Sequence, residues 1–254
     1  MNHNSDNGAG FDWFKDRAKD EKSINDENHR LGFSNWHRNF DLQMYCKSIF
    51  SILFSISAPK IGNIMLDIGA GGGSLAKLFE SECLESQLGY VMVDTENILN
   101  KGFAPLIQPI YGQFPKNARL IETSEYGQKI QYVMVNSVIH YVKNDGILED
   151  FIISLGNLLQ EGGVAFIGDV PTLEMKVAQA KANGRSPSLN TANNFTWNEF
   201  AILGRLLAEI SCSLYILPQP RFVPMHPHRS DLLVIKHQLI KQMEQDESFS
   251  TPYR

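Results

Sequence analysis

A glycine-rich segment preceded by an acidic residue is the part of the sequence whose residue types and spacing most directly imply ligand binding. The segment reads Asp67-Ile68-Gly69-Ala70-Gly71-Gly72-Gly73. Glycines at a turn permit positive φ angles and let a ligand approach the backbone, because no Cβ stands in the way. The carboxylate of Asp67 is difficult to reconcile with a pyrophosphate and suits a ligand that carries positive charge. The segment therefore predicts a cofactor site for a cationic ligand.

Two cofactor classes use such a turn, and the spacing of the glycines separates them. A dinucleotide site requires G-x-G-x-x-G or a final alanine, and in this frame Gly69 and Gly71 are followed by Ser74, so the last position fails. The other frame, Asp67-x-Gly69-x-Gly71-x-Gly73, is complete. The spacing therefore argues against an NAD site.

A second acidic residue stands where the ribose of a cofactor is usually held. The apolar run Gly89 to Val93 ends at Asp94, twenty-one residues after Gly73. A carboxylate at the end of the second strand can accept hydrogen bonds from both ribose hydroxyls, a geometry that the two cofactor classes share. The alternative is that Asp94 serves as an ordinary helix N-cap, since it directly follows a strand.

These residues belong to a regular alternation of strands and helices. Apolar runs at 63–68, 89–93, 132–135 and 164–167 are separated by amphipathic helical patterns, which is typical of a mostly parallel sheet covered on both faces. A weaker run, Arg119 to Ile121, predicts the third strand, and 214–217 and 232–235 predict two closing strands. Helices are predicted at 35–56, 74–80, 147–159, 173–182 and 196–210, the last with a capping box of Thr196 and Glu199.

The turn of one acid and three glycines resembles the first motif of the class I S-adenosylmethionine-dependent methyltransferases, and later segments extend the resemblance. Residues 132–142 are similar to the fourth motif of that family, and residues 158–166 are similar to its following helix, glycine turn and fifth strand. The resemblance covers about residues 60 to 170. It implies an α/β, Rossmann-like class I methyltransferase fold: a seven-stranded, mostly parallel sheet with an antiparallel last strand, and an N-terminal helical lid.

The resemblance also implies the cofactor, S-adenosyl-L-methionine, and its product S-adenosyl-L-homocysteine. In the family the third strand ends near an acid that meets the adenine amine, and Leu120-Ile121-Glu122 offers Glu122 for that role. Glu122 has the same alternative as Asp94, a helix N-cap. The cofactor-binding residues implied are Asp67, Gly69, Ala70, Gly71, Gly73, Asp94, Glu122, Asn136 and Ser137.

The candidate catalytic residue is His140, which lies just beyond the fourth strand, beside the expected position of the methyl group. Methyl transfer from a sulfonium is an in-line displacement, so the protein must align the nucleophile and exclude water. A hydroxyl acceptor gains much from a base, and a neutral imidazole can accept its proton near pH 7. The alternative is that His140 begins a helix and is hydrogen-bonded to the backbone.

Candidate substrate residues are Tyr45, Asp169, His226, His228 and Arg229. Asp169 closes the fifth strand, at the edge where open α/β sheets place ligands. Arg229 could pair with a phosphate or a carboxylate of the substrate, or be a solvated surface residue. Tyr45 lies on the N-terminal segment together with Trp36 and Trp13, where the family often forms an acceptor lid; all three could equally be packing residues.

No metal site is expected. Some family members hold a divalent metal with acids on the fourth and fifth strands, but here the fourth strand ends in Asn136-Ser137. His226 and His228, separated by a proline, form a poor chelate without further ligands.

The composition of the chain indicates which classes of partner it can bind and in which cell compartment it works. With 23 basic and 28 acidic residues the net charge is −5, which argues against a broad nucleic-acid surface. The polar start lacks a secretory pattern, and no apolar run is long enough to cross a bilayer. Cys46, Cys83 and Cys212 are scattered and odd in number, which indicates buried thiols in a reducing cytoplasm.

The predicted organisation is a polar arm at 1–30, the helical lid at 31–60, the cofactor-binding domain at 61–236 and a polar tail at 237–254.

The sequence therefore predicts a cytoplasmic, S-adenosylmethionine-dependent methyltransferase of a small polar molecule, with no nucleic-acid or membrane partner. O-methylation with His140 as base is placed first, on an acceptor of the sugar or secondary-metabolite type. The alternatives are N-methylation, a non-catalytic S-adenosylmethionine-binding subunit and, with less support, an NAD-dependent oxidoreductase. The sequence does not indicate the oligomeric state.

Overall fold

The computed structural model describes residues 41–99, 104–186, 193–223 and 226–238. The predicted arm at 1–30, the part of the predicted lid before residue 41 and the tail from residue 239 lie outside the described residues. Trp13 and Trp36 lie outside them as well.

Helices and strands alternate along the described chain, as predicted. The helices are α1 (Leu42–Ile56), α2 (Ser74–Glu85), α3 (Glu96–Leu99), α4 (Ala118–Thr123), α5 (Ile139–Asn144), α6 (Leu148–Leu158), α7 (Leu173–Ala182) and α8 (Trp197–Glu209). The strands are β1 (Ile64–Ile68), β2 (Gly89–Asp94), β3 (Ile110–Tyr111), β4 (Ile130–Asn136), β5 (Val164–Pro171), β6 (Cys212–Pro218) and β7 (Arg229–Lys236). Short 3₁₀ turns lie at Gly127–Lys129 and His226–His228.

The strands form one seven-stranded sheet in the order β3-β2-β1-β4-β5-β7-β6. Neighbours from β3 to β5 pair in parallel, whereas β7 is antiparallel to both β5 and β6. The predicted seven strands and antiparallel last strand are confirmed. The carboxyl ends of β1, β2, β4 and β5 therefore meet at one edge of the sheet, and the order reverses beside β1, where such sheets place their ligands.

Successive side chains of a strand point to opposite faces of the sheet, so the apolar strands present side chains that must be buried on both faces. Helices cover each face. Met65, Tyr132 and Phe166 belong to the core that α1 and α2 complete. The alternate residues belong to a second core that includes side chains of α6 and α8. The three cysteines are buried and free, as the sequence indicated.

Helix α1 is part of this packed body. It begins after its N-cap Asp41, whose side chain accepts a hydrogen bond from the amide of Met44 at 2.9 Å; residues 35–40 of the predicted helix lie outside the described residues. Tyr45 and Phe50 on its inner face are 2% exposed. Among the described residues, no helix has the length and apolar character needed to cross a membrane.

Candidate functional site

The glycine turn connects β1 to α2 and leaves space above its backbone. Gly69 has φ +74° and Gly71 has φ +67°, values in the left-handed region that favours glycine. A Cβ on Gly69 would lie 2.4 Å from the Val138 side chain, so this glycine also allows close packing. A Cβ on Gly71 or Gly73 would meet no atom within 4 Å. The turn thus places the first backbone amides of α2 beside open space in which a cofactor could lie against the backbone.

Asp94 faces this turn from the end of β2. Its Oδ2 accepts a hydrogen bond from the Gly71 amide at 3.1 Å, and its Oδ1 accepts one from the Thr95 amide at 2.6 Å. Burial raises the pKa of Asp94, and these hydrogen bonds oppose the rise. Helix α3 begins at Glu96, so Thr95 occupies the N-cap position and the N-cap alternative for Asp94 is wrong. Each carboxylate oxygen retains acceptor capacity for a ribose hydroxyl.

Asp67 lies beneath the turn and is not on its surface. Its side chain is 3% exposed, and the Tyr90 hydroxyl donates to its Oδ2 at 2.5 Å. Burial raises the pKa of Asp67 to about 7; the Tyr90 hydrogen bond opposes this rise and the charge of Asp94 adds to it. The carboxyl group can therefore act on a cation above the turn through its electric field rather than through direct contact.

The predicted third strand at 119–121 is wrong. These residues belong to α4, and the third strand is the two-residue β3, which pairs with the end of β2. Glu122 lies on α4 and is exposed, so it does not stand at the end of a strand beside Asp94. The chain that runs next to Asp94 is instead the one leaving β3, where the Gly112 amide donates to the Asp94 carbonyl at 3.0 Å. This removes the structural basis for the predicted adenine contact of Glu122.

A second polar group lies where β4 and β5 end and β7 begins, and we call it the strand-end cluster: Asn136, Ser137, Asp169, Arg229 and Asp231. The Ser137 hydroxyl donates to Asp169 Oδ2 at 2.6 Å, and the Asp169 amide donates to Asp231 Oδ1 at 2.9 Å. Ser137 and Asp169 have φ of +57° and +64°. Non-glycine residues in this region are strained, and such strain often accompanies functional sites.

Tyr45 connects α1 to this cluster. Its hydroxyl donates to Asn136 Oδ1 at 2.8 Å. Burial raises the pKa of Tyr45 well above its usual value, and the charges of Asp231 and Asp169 raise it further. The phenol is therefore neutral at physiological pH. The structure thus brings Tyr45, Asn136, Ser137 and Asp169 together, as their assignment to one cofactor and substrate region requires.

Arg229 pairs inside the protein. Its Nη1 donates to Asp169 Oδ2 at 2.6 Å and to the Asp169 carbonyl at 3.0 Å, and its side chain is 20% exposed. The alternative of a solvated surface arginine is therefore wrong. The guanidinium is also largely neutralised by Asp169, which weakens its predicted pairing with a phosphate or a carboxylate of the substrate.

His140 lies at the start of α5, and its ring is half-buried. Burial and the neighbouring Arg229 lower its pKa to about 4, so the imidazole is neutral at pH 7. Its Nδ1 is buried without a hydrogen-bond partner, which does not support the alternative of a ring tied to the backbone through that atom. The ring packs against Tyr141, with 4.0 Å between centroids.

The two histidines before β7 hold their own turn in place. His226 Nδ1 lies 3.0 Å from the Val223 carbonyl, and His228 Nδ1 lies 2.8 Å from Gln179 Oε1 on α7. In the part of the chain that the structure describes, no group of three or more His, Cys, Asp or Glu residues could hold a metal ion. His226 and His228 therefore contribute to the shape of the connection beside Arg229.

Sequence reasoning missed two residues of the cluster's surroundings, Asp231 and Gln219. Asp231 is 2% exposed and accepts from Gln219 Nε2 at 3.0 Å as well as from the Asp169 amide. The available signal was an aspartate at the start of an apolar strand, since a buried carboxylate requires polar partners.

Lys143, on the same helix as His140, was also missed. Its Nζ lies 2.6 Å from Glu199 Oε1, donates to the Asn194 carbonyl at 2.7 Å and stands 4.9 Å from the Phe195 ring centroid. Glu199 in turn completes the predicted capping box with Thr196, which is confirmed. Lys143 therefore fastens the short helix α5 to the start of α8.

We expect Lys143→Met to lower the free energy of unfolding by about 1 to 2 kcal/mol, because it removes a partly buried ion pair and a charged donor to a carbonyl. Urea denaturation measures the loss. Lys129→Met, at an exposed lysine in the turn before β4, serves as the control and should change stability little. Equal stability of the two variants would show that Lys143 does not fasten α5.

Comparison with solved structures identifies the architecture. The plantazolicin methyltransferase BpumL, in complex with a desmethyl-plantazolicin analogue and S-adenosylhomocysteine, superimposes with a TM-score of 0.60 at 11% identity, over 90% of this chain and 95% of that one. The methyltransferase domain of a bacterial CtHen1 gives 0.53 at 16% identity, over 77% of this chain and 100% of that one. An O-methyltransferase family protein from Burkholderia thailandensis gives 0.51 at 14% identity, over 87% of this chain and 61% of that one.

No protein-family model matches the sequence, and no curated protein matches it significantly. The similarity to known proteins is therefore one of three-dimensional structure. The strand order, the antiparallel β7 and the glycine turn after β1 agree with the fold that the sequence predicted. The chain has the fold of the class I S-adenosylmethionine-dependent methyltransferases.

Proposed function

We propose that the protein transfers a methyl group from S-adenosylmethionine to a small polar molecule bound beside the strand-end cluster. The observation that carries this proposal is the open, left-handed glycine turn of Gly69 and Gly71 with one carboxyl group beneath it and another, Asp94, beside it. A sulfonium and an ammonium group are stabilised there, whereas a pyrophosphate is repelled. The solved methyltransferases that share the fold support the same conclusion.

Each residue at the sheet edge has a distinct part in this proposal. The amides of the glycine turn and Asp94 bind the cofactor, Asp67 attracts its positive charge, and Asn136 and Ser137 line it at the end of β4. When bound, S-adenosylmethionine supplies an electrophilic methyl group. The carbon–sulfur bond breaks, the new bond forms at the acceptor nucleophile, and S-adenosylhomocysteine leaves. His140 takes up the acceptor proton, either directly or through water.

The basicity of His140 bears on which atom is methylated. The sequence placed oxygen before nitrogen because a hydroxyl gains most from a base. A ring with a pKa of about 4 is a weak base, so it assists a hydroxyl poorly. A neutral amine attacks unaided and needs only a route by which its proton leaves. On this ground we place N-methylation ahead of O-methylation within this proposal.

Isothermal titration calorimetry with S-adenosylmethionine, S-adenosylhomocysteine and NAD tests the cofactor assignment. We expect both sulfur nucleosides to bind and NAD not to bind. Binding of NAD without either sulfur nucleoside would overturn the proposal. Screening of acceptors by mass gain then distinguishes an enzyme from a non-catalytic S-adenosylmethionine-binding subunit, which would bind the cofactor and methylate nothing.

With an acceptor identified by that screen, we expect His140→Ala to lower kcat by about tenfold, less than the roughly 10²-fold of an efficient general base, because the imidazole is a weak base that only receives the departing proton. The affinity for S-adenosylmethionine should be unchanged, since the turn does not involve His140. Single-turnover kinetics and calorimetry measure the two quantities. His237→Ala, at an exposed histidine at the other end of β7, is the control. An unchanged kcat in His140→Ala would remove His140 from the mechanism.

A further inference from the structure

The strand-end cluster contains more negative than positive charge. Asp169 and Asp231 are 7% and 2% exposed, and Arg229 is the guanidinium paired with Asp169. Tyr45 and His140, which adjoin the cluster, are both neutral at pH 7. Two carboxylates against one guanidinium leave one negative charge that these neighbours do not balance.

The pKa values of both carboxyl groups in the cluster are raised, mainly by burial. Burial raises the pKa of Asp231 to about 6, and the charge of Asp169 adds to the rise. Burial also raises the pKa of Asp169, although Arg229, Ser137 and Gln219 oppose it. A cation placed here would lower both pKa values, whereas an anion would raise them.

One oxygen of this pair has no partner. Asp169 Oδ2 accepts from Ser137 and Arg229, but Asp169 Oδ1 is buried without a hydrogen bond. His140 Nδ1, Gln219 Oε1 and Arg229 Nε are unpartnered as well, and of these three atoms Nε is the one that can only donate. A buried carboxylate oxygen without a donor is costly, and most native structures supply a donor from protein, water or ligand. An N–H group that carries positive charge satisfies both the hydrogen bond and the missing charge.

We infer that the acceptor carries a positively charged nitrogen group, an ammonium or an amidinium, which the free Oδ1 of Asp169 recognises. The inference rests on the proposed function, because it names the substrate class of the same site. Arg229 is the one guanidinium of the cluster among the described residues, and its Nη1 is paired with Asp169, which disfavours acceptors that present a phosphate or a carboxylate there. The recognised nitrogen and the methylated atom can be different atoms of the acceptor.

The charge of Lys176 on α7 does not alter this balance. It lowers the pKa of the neighbouring His228, but it is not among the groups that shift the pKa of Asp169 or Asp231. His228 itself is hydrogen-bonded to Gln179 and its pKa is lowered by burial, so it adds no positive charge at pH 7.

The test uses three probes of equal size and different charge on the full-length protein: benzylammonium, benzyl alcohol and benzoate. Aspartate carboxyl groups are labelled with ¹³C, and the Asp169 signal is assigned by its absence in Asp169→Asn, with Asp231→Asn as a second assignment variant. Each probe is titrated at pH 7 and constant ionic strength. The signal of Asp150, an exposed residue on α6, reports nonspecific effects.

We expect benzylammonium to shift the Asp169 signal at a concentration about tenfold lower than benzyl alcohol does, and benzoate to leave it unchanged. The Asp150 signal should not respond differently to the three probes. The absence of an Asp169 response to benzylammonium, or a response to benzoate at equal concentration, would overturn the inference. Calorimetry with S-adenosylmethionine is independent of this readout. If S-adenosylmethionine binds but the Asp169 signal does not respond to benzylammonium, only the inference is refuted. If the Asp169 signal responds but S-adenosylmethionine does not bind, only the proposed function is refuted.

Discussion

Asp94→Ala is expected to weaken the binding of S-adenosylmethionine by about 100-fold, which corresponds to roughly 3 kcal/mol from hydrogen bonds to a charged acceptor. The carboxylate accepts from the Gly71 and Thr95 amides, so it shapes the turn, and under the proposed function it would also bind the ribose. The variant therefore loses direct contacts and part of the turn's alignment. Isothermal titration calorimetry at low salt measures the change.

Glu122→Gln is the matched control for this variant, because Glu122 is an exposed acid for which the resemblance implied a cofactor contact. Its position on α4 predicts unchanged affinity. A loss in Glu122→Gln as large as that in Asp94→Ala would restore the adenine contact and contradict the structural assignment. An unaffected Asp94→Ala variant would contradict the proposed ribose site.

Asp67→Asn is expected to make the protein more stable above neutral pH while weakening cofactor binding. The folded-state pKa of Asp67 is raised to about 7, from a value near 4 in the unfolded chain. Because the folded state holds this proton more tightly, its contribution to stability is fully present below about pH 4 and is lost as the pH rises to about 7. The loss is on the order of 4 kcal/mol, and asparagine, which does not ionise, avoids it.

Urea denaturation of the wild type and Asp67→Asn at several pH values from 4 to 8 measures this effect as a difference that grows with pH. Asp150→Asn, at an exposed aspartate on α6, should show no such growth. Calorimetry should show weaker S-adenosylmethionine binding by Asp67→Asn at pH 8. In the wild type the affinity should rise from pH 6 to 8, because the cationic ligand favours the ionised carboxyl group. A stability difference that does not depend on pH would refute the burial argument.

The parts of the site that were predictable from the sequence are those in which neighbouring residues specify the geometry. Gly69 and Gly71 were recognisable because left-handed turns require glycine whatever surrounds them. Asp94 was recognisable because it ends an apolar run, and strands of a parallel sheet bring their carboxyl ends to one edge. The capping box at Thr196 is likewise set by residues three positions apart.

The parts that were not predictable depend on contacts between distant residues or on very short elements. Strand β3 has two residues, which is too few for periodicity to reveal. Ile121 is fully buried while Leu120 is 58% exposed, a pattern that a strand and a helix share over three residues. The pairing of Asp169 with Arg229 joins residues sixty positions apart, and only the antiparallel register of β5 with β7 brings them together.

The direction of β7 has a consequence for how specificity can change. A strand that ran parallel to β5 would deliver Arg229 to the opposite rim of the sheet, whereas the reversed strand delivers it opposite Pro171. Under the proposed function, the loop that leads into β7 would contribute groups on the acceptor side, and the loops after β1 and β2 would contribute groups on the cofactor side. Exchanges in that one loop would then change the substrate preference while the donor of the methyl group stays the same.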